Sequence, residues 1–260
     1  MSAFTVDTRD LPGLAEVVAS LPLSLRDAGN GPPQITGVVG TRTWATKATS
    51  AVAQGALAVV VETPVVSRLE SVSAAAQSRV VLAWDYAANP GVHAAAAEAE
   101  ALRGQAGIAH GTVSVGRSTD VQVALLDLLV AAVRVFGDFT TLTVRHRDHH
   151  GVHLTGHLRG GAPLTLSVVV TNAYPFAMHL RLLTHEGGLD LLVPSPATAA
   201  PAEVRVVDVE GEHLLPTVWV SSRRASWQDA AAVAGGATSD DVAELRRAVS
   251  LVPDLWRASP

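Results

Sequence analysis

The first third of the chain alternates short runs rich in β-branched residues with longer stretches in which apolar residues return every three or four positions. That alternation predicts a sheet built from βα units. Strands are expected at 4–6, 35–39, 57–61 and 80–83, with helices over 11–21, 45–54 and 67–77 between them. The run AVVV at 58–61 is apolar at every position, as suits a parallel strand covered on both faces. After Pro90 the register changes. An Ala- and Glu-rich helix is expected over 92–102, a strand near 108–115, and an amphipathic helix over 119–135. From 140 to 207 the residues alternate with period two between turn signals such as Gly160-Gly161 and Gly187-Gly188, which predicts a mostly antiparallel sheet. The tail carries a helix near 228–233, a Gly235-Gly236 break, and a helix opened by Ser239, with Asp240 and Asp241 in its first turn. The expected organisation is a small doubly wound α/β domain over 1–90 and an α+β domain over 91–260, whose last helices can pack back on the first domain.

Composition narrows the possibilities. A chain of 260 residues with 48% apolar side chains can bury one large core or two modest ones. Charged residues make up 17% and the formal net charge is -5, so no basic surface is available to track phosphates and nucleic acid is not an expected partner. Without cysteine there are no disulfides, thiolate metal sites or cysteine nucleophiles. The opening MSAFTVDTRDLPG has charges where an export signal needs an apolar core. The most apolar stretch, 121–136, is interrupted by Asp127 and Arg134 and is too short for a hydrocarbon layer of ~30 Å. A soluble, cytoplasmic protein with no membrane contact is expected.

Five local runs then occur in a telling order. QGALAVVVETP (54–64) resembles the strand and turn "aGk.vlvEKP" of the glucose-fructose oxidoreductase and inositol dehydrogenase family, Gfo/Idh/MocA. WDYAANP (84–90) is similar to its strand leading through "r..P" to the linking helix, and STDVQVALLDLL (118–129) to its "D.G.H..Dll" helix. LTGHLRGGAPLTL (154–166) resembles the hairpin "l.g.l.f.nGa.g.l", and LRLLTHEGGLDLLVP (180–194) resembles "l.i.gteG.l.l". The resemblance implies a Rossmann-like first domain, a second domain with an open sheet used for subunit contacts, an NAD(P) cofactor, and a sugar or cyclitol substrate.

The departures from that pattern are chemical. The family's opening G-x-G-x-x-G turn lets the backbone approach a pyrophosphate at a helix N-terminus. No such run exists here, and FTVDTRD instead resembles the family's second strand, which implies that the phosphate-binding βα unit is missing. Asp7 then falls at the ribose-holding acid, with a strand-end or capping role as the alternative. The "EKP" lysine is matched by Thr63 between Glu62 and Pro64, and a hydroxyl supplies no positive charge. The histidine of "D.G.H..D" falls on Ala124, which moves no proton, and the histidine after the "tP" turn falls on Trp44. Removing just one such group usually defeats catalysis. The expectation is therefore a degenerate, truncated pseudoenzyme that needs no cofactor and works by binding a sugar-like ligand or a partner. NAD(P) is expected only if the chain is a working oxidoreductase with an altered cofactor site.

Other residues invite rival chemistry. His146, His149, His150, His153 and His157 lie within twelve residues, and on a strand His153, Thr155 and His157 would share one face at steps of about 7 Å. No acid is regularly spaced with them, so polar sheet-face roles are expected and no metal is assigned. Asp120 and Asp127, seven apart on one helix, can form a general acid and base for a lyase or hydrolase, or serve as a cap and a helix-face residue. Glu62, Thr63, Trp84, Tyr86 and Asn89 are the expected lining of the cleft, where the aromatics can stack on a sugar or belong to the core. Ser67, Ser195 and Ser222 have no G-x-S-x-G setting. The sheet over 140–207 is the expected surface for a homodimer, a larger assembly or a catalytic partner subunit.

Overall fold

The computed structural model describes residues 3–9, 11–172, 175–198 and 200–256. In chain order it begins β1 (Phe4–Val6), α1 (Leu14–Ala19), β2 (Leu25–Asp27), β3 (Ile35–Val39), α2 (Trp44–Ala53), β4 (Ala58–Glu62), α3 (Ala74–Gln77) and β5 (Val80–Ala83). Then come α4 (Pro90–Leu102), β6 (Ala106–Val115), α5 (Val121–Phe136), β7 (Phe139–Asp148), β8 (Gly151–Leu158) and β9 (Pro163–Val170). The remainder is β10 (Ala177–Thr184), β11 (Gly188–Pro194), β12 (Glu203–Asp208), β13 (Gly211–Leu214), α6 (Ser222–Ala234), α7 (Asp241–Leu251) and α8 (Pro253–Trp256). Among the described residues no helix is long and apolar enough to cross a membrane.

Two compact units result. The first joins Met1–Trp84 to Ser222–Arg246, and the second joins Asp85–Ser221 to Arg247–Pro260, so the first boundary falls after residue 84 rather than 90.

The first unit is built on a five-stranded parallel sheet in the order β2-β1-β3-β4-β5. The order reverses between β1 and β3, the point at which open α/β sheets leave a crevice at their carboxyl ends. Every residue from Ala58 to Val61 is fully buried. Ala58 and Val60 pack into a cluster with Leu11, Leu14, Ile35 and Trp227, so α6 closes one face of the sheet. Asp241, in the first turn of α7, accepts the Leu82 amide at 2.7 Å and ties that helix to β5.

Three expectations for this unit need correction. Strand β2 was not anticipated, because LRD has neither the length nor the alternation of a strand; it is recruited by pairing with β1. The helix expected over 67–77 is a 3₁₀ turn at Leu69–Ser71 followed by the four-residue α3. Val72 and Ser73 are extended between them, and Ser73 Oγ accepts the Ala76 amide at 3.3 Å, which starts a new helix there. The helix expected over 228–233 runs from Ser222 to Ala234.

The second unit carries an eight-stranded sheet in the order β13-β12-β11-β10-β6-β9-β8-β7. All its pairings are antiparallel except β6 with β9. Met178, Leu180 and Leu182 of β10, with Leu189, Leu191 and Val193 of β11, are buried on the face where α4 and α5 pack. The sheet continues past 207 through β13, beyond its expected end. The fold is thus a Rossmann-like parallel α/β unit and an α+β unit with a mostly antiparallel sheet, the class expected from the sequence.

Candidate functional site

In the first unit the candidate residues gather at the carboxyl ends of the parallel strands. Strand β4 delivers Glu62 and then Thr63, whose φ of 51° is the only positive value at a non-glycine among the described residues. A β-branched residue in that region is strained, and such strain concentrates where a chain is held for function. The turn is braced by Gly40 at the end of β3, whose amide donates to the Glu62 carbonyl at 2.7 Å. A Cβ at Gly40 would lie 2.1 Å from the Thr63 carbonyl oxygen, so only glycine fits.

The Glu62 carboxylate is committed elsewhere. Arg223 reaches it with Nε and Nη2, each at 2.8 Å, and Trp227 Nε1 donates at 3.1 Å. Arg223 also donates to the Pro12 carbonyl at 2.7 Å, so one guanidinium joins α6, the β4 end and the turn before α1. Neither Arg223 nor Trp227 was a sequence candidate, and a partner 161 positions away leaves no local signal.

At the switch point, the link from β1 to α1 contains one glycine, Gly13, at the N-cap of a six-residue helix. Asp7 is turned inward on its own loop. It accepts the Arg9 amide at 3.1 Å and both guanidinium nitrogens Nε and Nη2 at 2.9 and 2.8 Å. That arginine holds the carboxyl down at about 2. Trp44 is fully buried and donates to the Val65 carbonyl at 2.9 Å. Trp84, after β5, is buried with an Nε1 that finds no partner among the described residues.

In the second unit the structure separates the two aspartates that spacing had placed together. Asp120 is the N-cap of α5, outside the helix proper, and its Oδ1 accepts the Gln122 amide at 2.8 Å. Asp127 is buried inside the helix and accepts the amides of Tyr86 and Ala87 at 2.9 and 2.7 Å. Burial raises its carboxyl to about 7, helped by Asp85 and opposed by the two amides and Arg134. A groove of about 320 Å³ takes Asp120, Gln122, Arg147, Asp148 and Trp256 into its lining, but not Asp127. Tyr86 is buried and its hydroxyl is pushed upward, first by desolvation and then by Asp127 and Asp85. Asn89 caps α4 by accepting the Gly91 amide at 2.9 Å, ahead of Pro90 at the first helical position. Ala124 is buried on α5.

The histidines spread along one hairpin instead of converging. His146 meets Asp148 at 3.1 Å, His149 stacks on His150, His153 pairs with Ser167 at 3.0 Å, and His157 with Thr141 at 3.3 Å. Among the described residues, no three histidines or carboxylates come together in a way that holds a metal ion. For a nicotinamide dinucleotide, the β1–α1 link offers a single glycine and a carboxylate already paired with Arg9. These residues do not fit the group.

With this geometry in hand, solved structures supply the comparison. The 3-ketoreductase KijD10 of Actinomadura kijaniata, in complex with NADP, is 16% identical with a TM-score of 0.67, over 96% of this chain and 94% of that one. The chain shares the fold of this enzyme. An oxidoreductase from Sinorhizobium meliloti matches at 14% identity and TM-score 0.66, over 85% of this chain and 76% of that one. One from Agrobacterium radiobacter, in complex with NAD+, L-tartaric acid and magnesium, matches at 16% and 0.61, over 96% and 86%. No protein-family model and no curated protein matches the sequence.

Proposed function

We propose that this protein is a relative of the Gfo/Idh/MocA oxidoreductases that acts by binding a sugar-like ligand or a partner chain and does not transfer hydride. One observation carries the reading: the acids that sequence and resemblance nominate for chemistry are each tied to the fold. Asp7 is held by Arg9, Glu62 by Arg223 and Trp227, Asp120 by the first turn of α5, and Asp127 by two connector amides. Thr63 and Ala124 stand where the resembling family has its cation and its proton acceptor, and neither side chain performs those tasks.

A second reading, an NAD(P)-dependent oxidoreductase acting on a sugar or cyclitol, is favoured by the fold neighbours crystallised with NADP and NAD+. Calorimetric titration with NAD(H) and NADP(H) separates the two. Absence of binding is expected here, whereas micromolar binding, or nucleotide carried through purification, defeats the first reading and establishes the second.

The reading includes self-association through the open face of the eight-stranded sheet. There Leu183, Leu192 and Val207 are about two-fifths exposed among the ion pairs Arg181–Asp190 and Arg205–Glu203. Sedimentation should show a dimer or larger species that Leu192→Asp converts to monomer; a monomeric wild type at tens of micromolar removes this part of the proposal.

A further inference from the structure

The chain leaves the first unit at Trp84, and the residues that follow are gripped by one face of α5. Asp127 accepts the amides of Tyr86 and Ala87, one on each carboxylate oxygen. Two turns further along the same face, Arg134 Nη1 donates to the Ala87 carbonyl at 2.8 Å. Ala87 is therefore held at its amide by an acid and at its carbonyl by a base. The holding helix is braced in turn, because Arg103 donates through Nη2 and Nε to the carbonyls of Arg134 and Val135 at 2.5 and 3.0 Å. Neither the fold nor the proposed binding role requires an ionisable group beneath this connector, since an asparagine or a backbone carbonyl serves capping elsewhere.

We propose that Asp127 and Arg134 form a pH-sensitive clamp on the connector at Tyr86 and Ala87 that opens the second unit, closed while Asp127 is protonated and loosened as it ionises. The direction follows from linkage. In the closed state the carboxyl is buried, which disfavours its charged form; in an open state water hydrates it. The closed state therefore binds the proton more tightly, and rising pH draws the population towards the open one. A neutral acid still offers acceptor lone pairs on both oxygens, so the two amides remain satisfied when the clamp is shut.

The charges acting on Asp127 are few. Arg134 on its own helix and the two amides favour ionisation, while Asp85 on the connector opposes it. Tyr86 stays neutral, its hydroxyl being pushed upward. Helix α4 carries His93, Glu98 and Glu100, and strands β6, β8 and β10, which also pack on α5, carry His110, His153, His157, His179 and Arg181; the groups that shift Asp127 are Asp85, Arg134 and the two amides. Burial outweighs the favourable contacts and sets the transition at about 7.

Hydrogen exchange of the Tyr86 and Ala87 amides in the ¹⁵N-labelled full chain tests this. After correction for intrinsic rates, protection should fall by about tenfold per pH unit as pH rises from 3.8 to about 7 and level off above it, because only in that range does opening release a proton. It should be independent of pH in Asp127→Asn. Protection that does not change with pH in the wild type, or that falls equally in the variant, overturns the clamp. If Asp127→Asn does not fold, the wild type decides alone. Amide shifts of residues 86 and 87 moving with a midpoint near 7 support the proposal, and shifts that are flat or titrate only in the ordinary carboxylate range overturn it. Replacing the cation in Arg134→Gln should move that midpoint upward, and an unchanged midpoint counts against the paired arrangement.

Discussion

Thr63 is a β-branched residue held in a left-handed backbone conformation. Its left-handed conformation costs a β-branched residue about 1–3 kcal/mol, so Thr63→Gly should stabilise the first unit by about 1 kcal/mol after the entropy of the new glycine is counted. The midpoint of urea unfolding reads this directly, and a lower midpoint would show that the Thr63 side chain supports its own turn. Gly40→Ala should do the reverse. Its Cβ would meet the Thr63 and Glu62 carbonyl oxygens at 2.1 and 2.6 Å, both backbone atoms that cannot step aside. A loss of roughly 3 kcal/mol, or failure to fold, is expected. Resemblance could point to Thr63, because the residues either side of it match a motif. It could not reveal the partners of Glu62, since Arg223 and Trp227 lie on a distant helix and the contact exists only once that helix is laid on the sheet.

Among the elements, legibility followed length and periodicity. The apolar run 58–61 of β4 and the long amphipathic α5 were readable because each is an unbroken pattern over several residues. The three-residue β2 was not, since its strand character comes from β1 beside it, and the Val72–Ser73 break was hidden by the alanines that follow. Element boundaries also decided the fate of the aspartate pair. A spacing of seven places two residues on one helical face only if both are in the helix, and Asp120 stands just outside as its cap. Asp120→Ala should accordingly cost about 1 kcal/mol by loss of the hydrogen bond to Gln122, measured as a lower thermal midpoint of the second unit. A loss of turnover in Asp120→Asn with folding intact would instead revive the hydrolytic reading of this residue.

At the scale of the whole molecule, the two sheets were legible as classes and the dominant pH dependence was not, because it depends on what surrounds Asp127 once α5 is buried. Its carboxyl is raised from 3.8 to about 7 in the folded protein. The native state thus holds a proton that the unfolded chain releases, and the stability contributed by that proton is complete below 3.8 and disappears as pH rises through about 7. Asp7 has the opposite sign, but its contribution is lost only as pH falls through about 2, well below the working range. Unfolding free energy measured by urea should therefore decline as pH rises from 3.8 to about 7, with a slope approaching about 1.4 kcal/mol per unit from this one group, and level off above 7. Asp127→Asn should remove this decline, so that the wild-type curve drops progressively relative to that of the variant up to about pH 7 and runs parallel to it above. Profiles that run parallel all the way from about pH 4 to pH 7 would mean that the buried carboxyl ionises at no cost, and that the amides of Tyr86 and Ala87 together with Arg134 offset its desolvation in full.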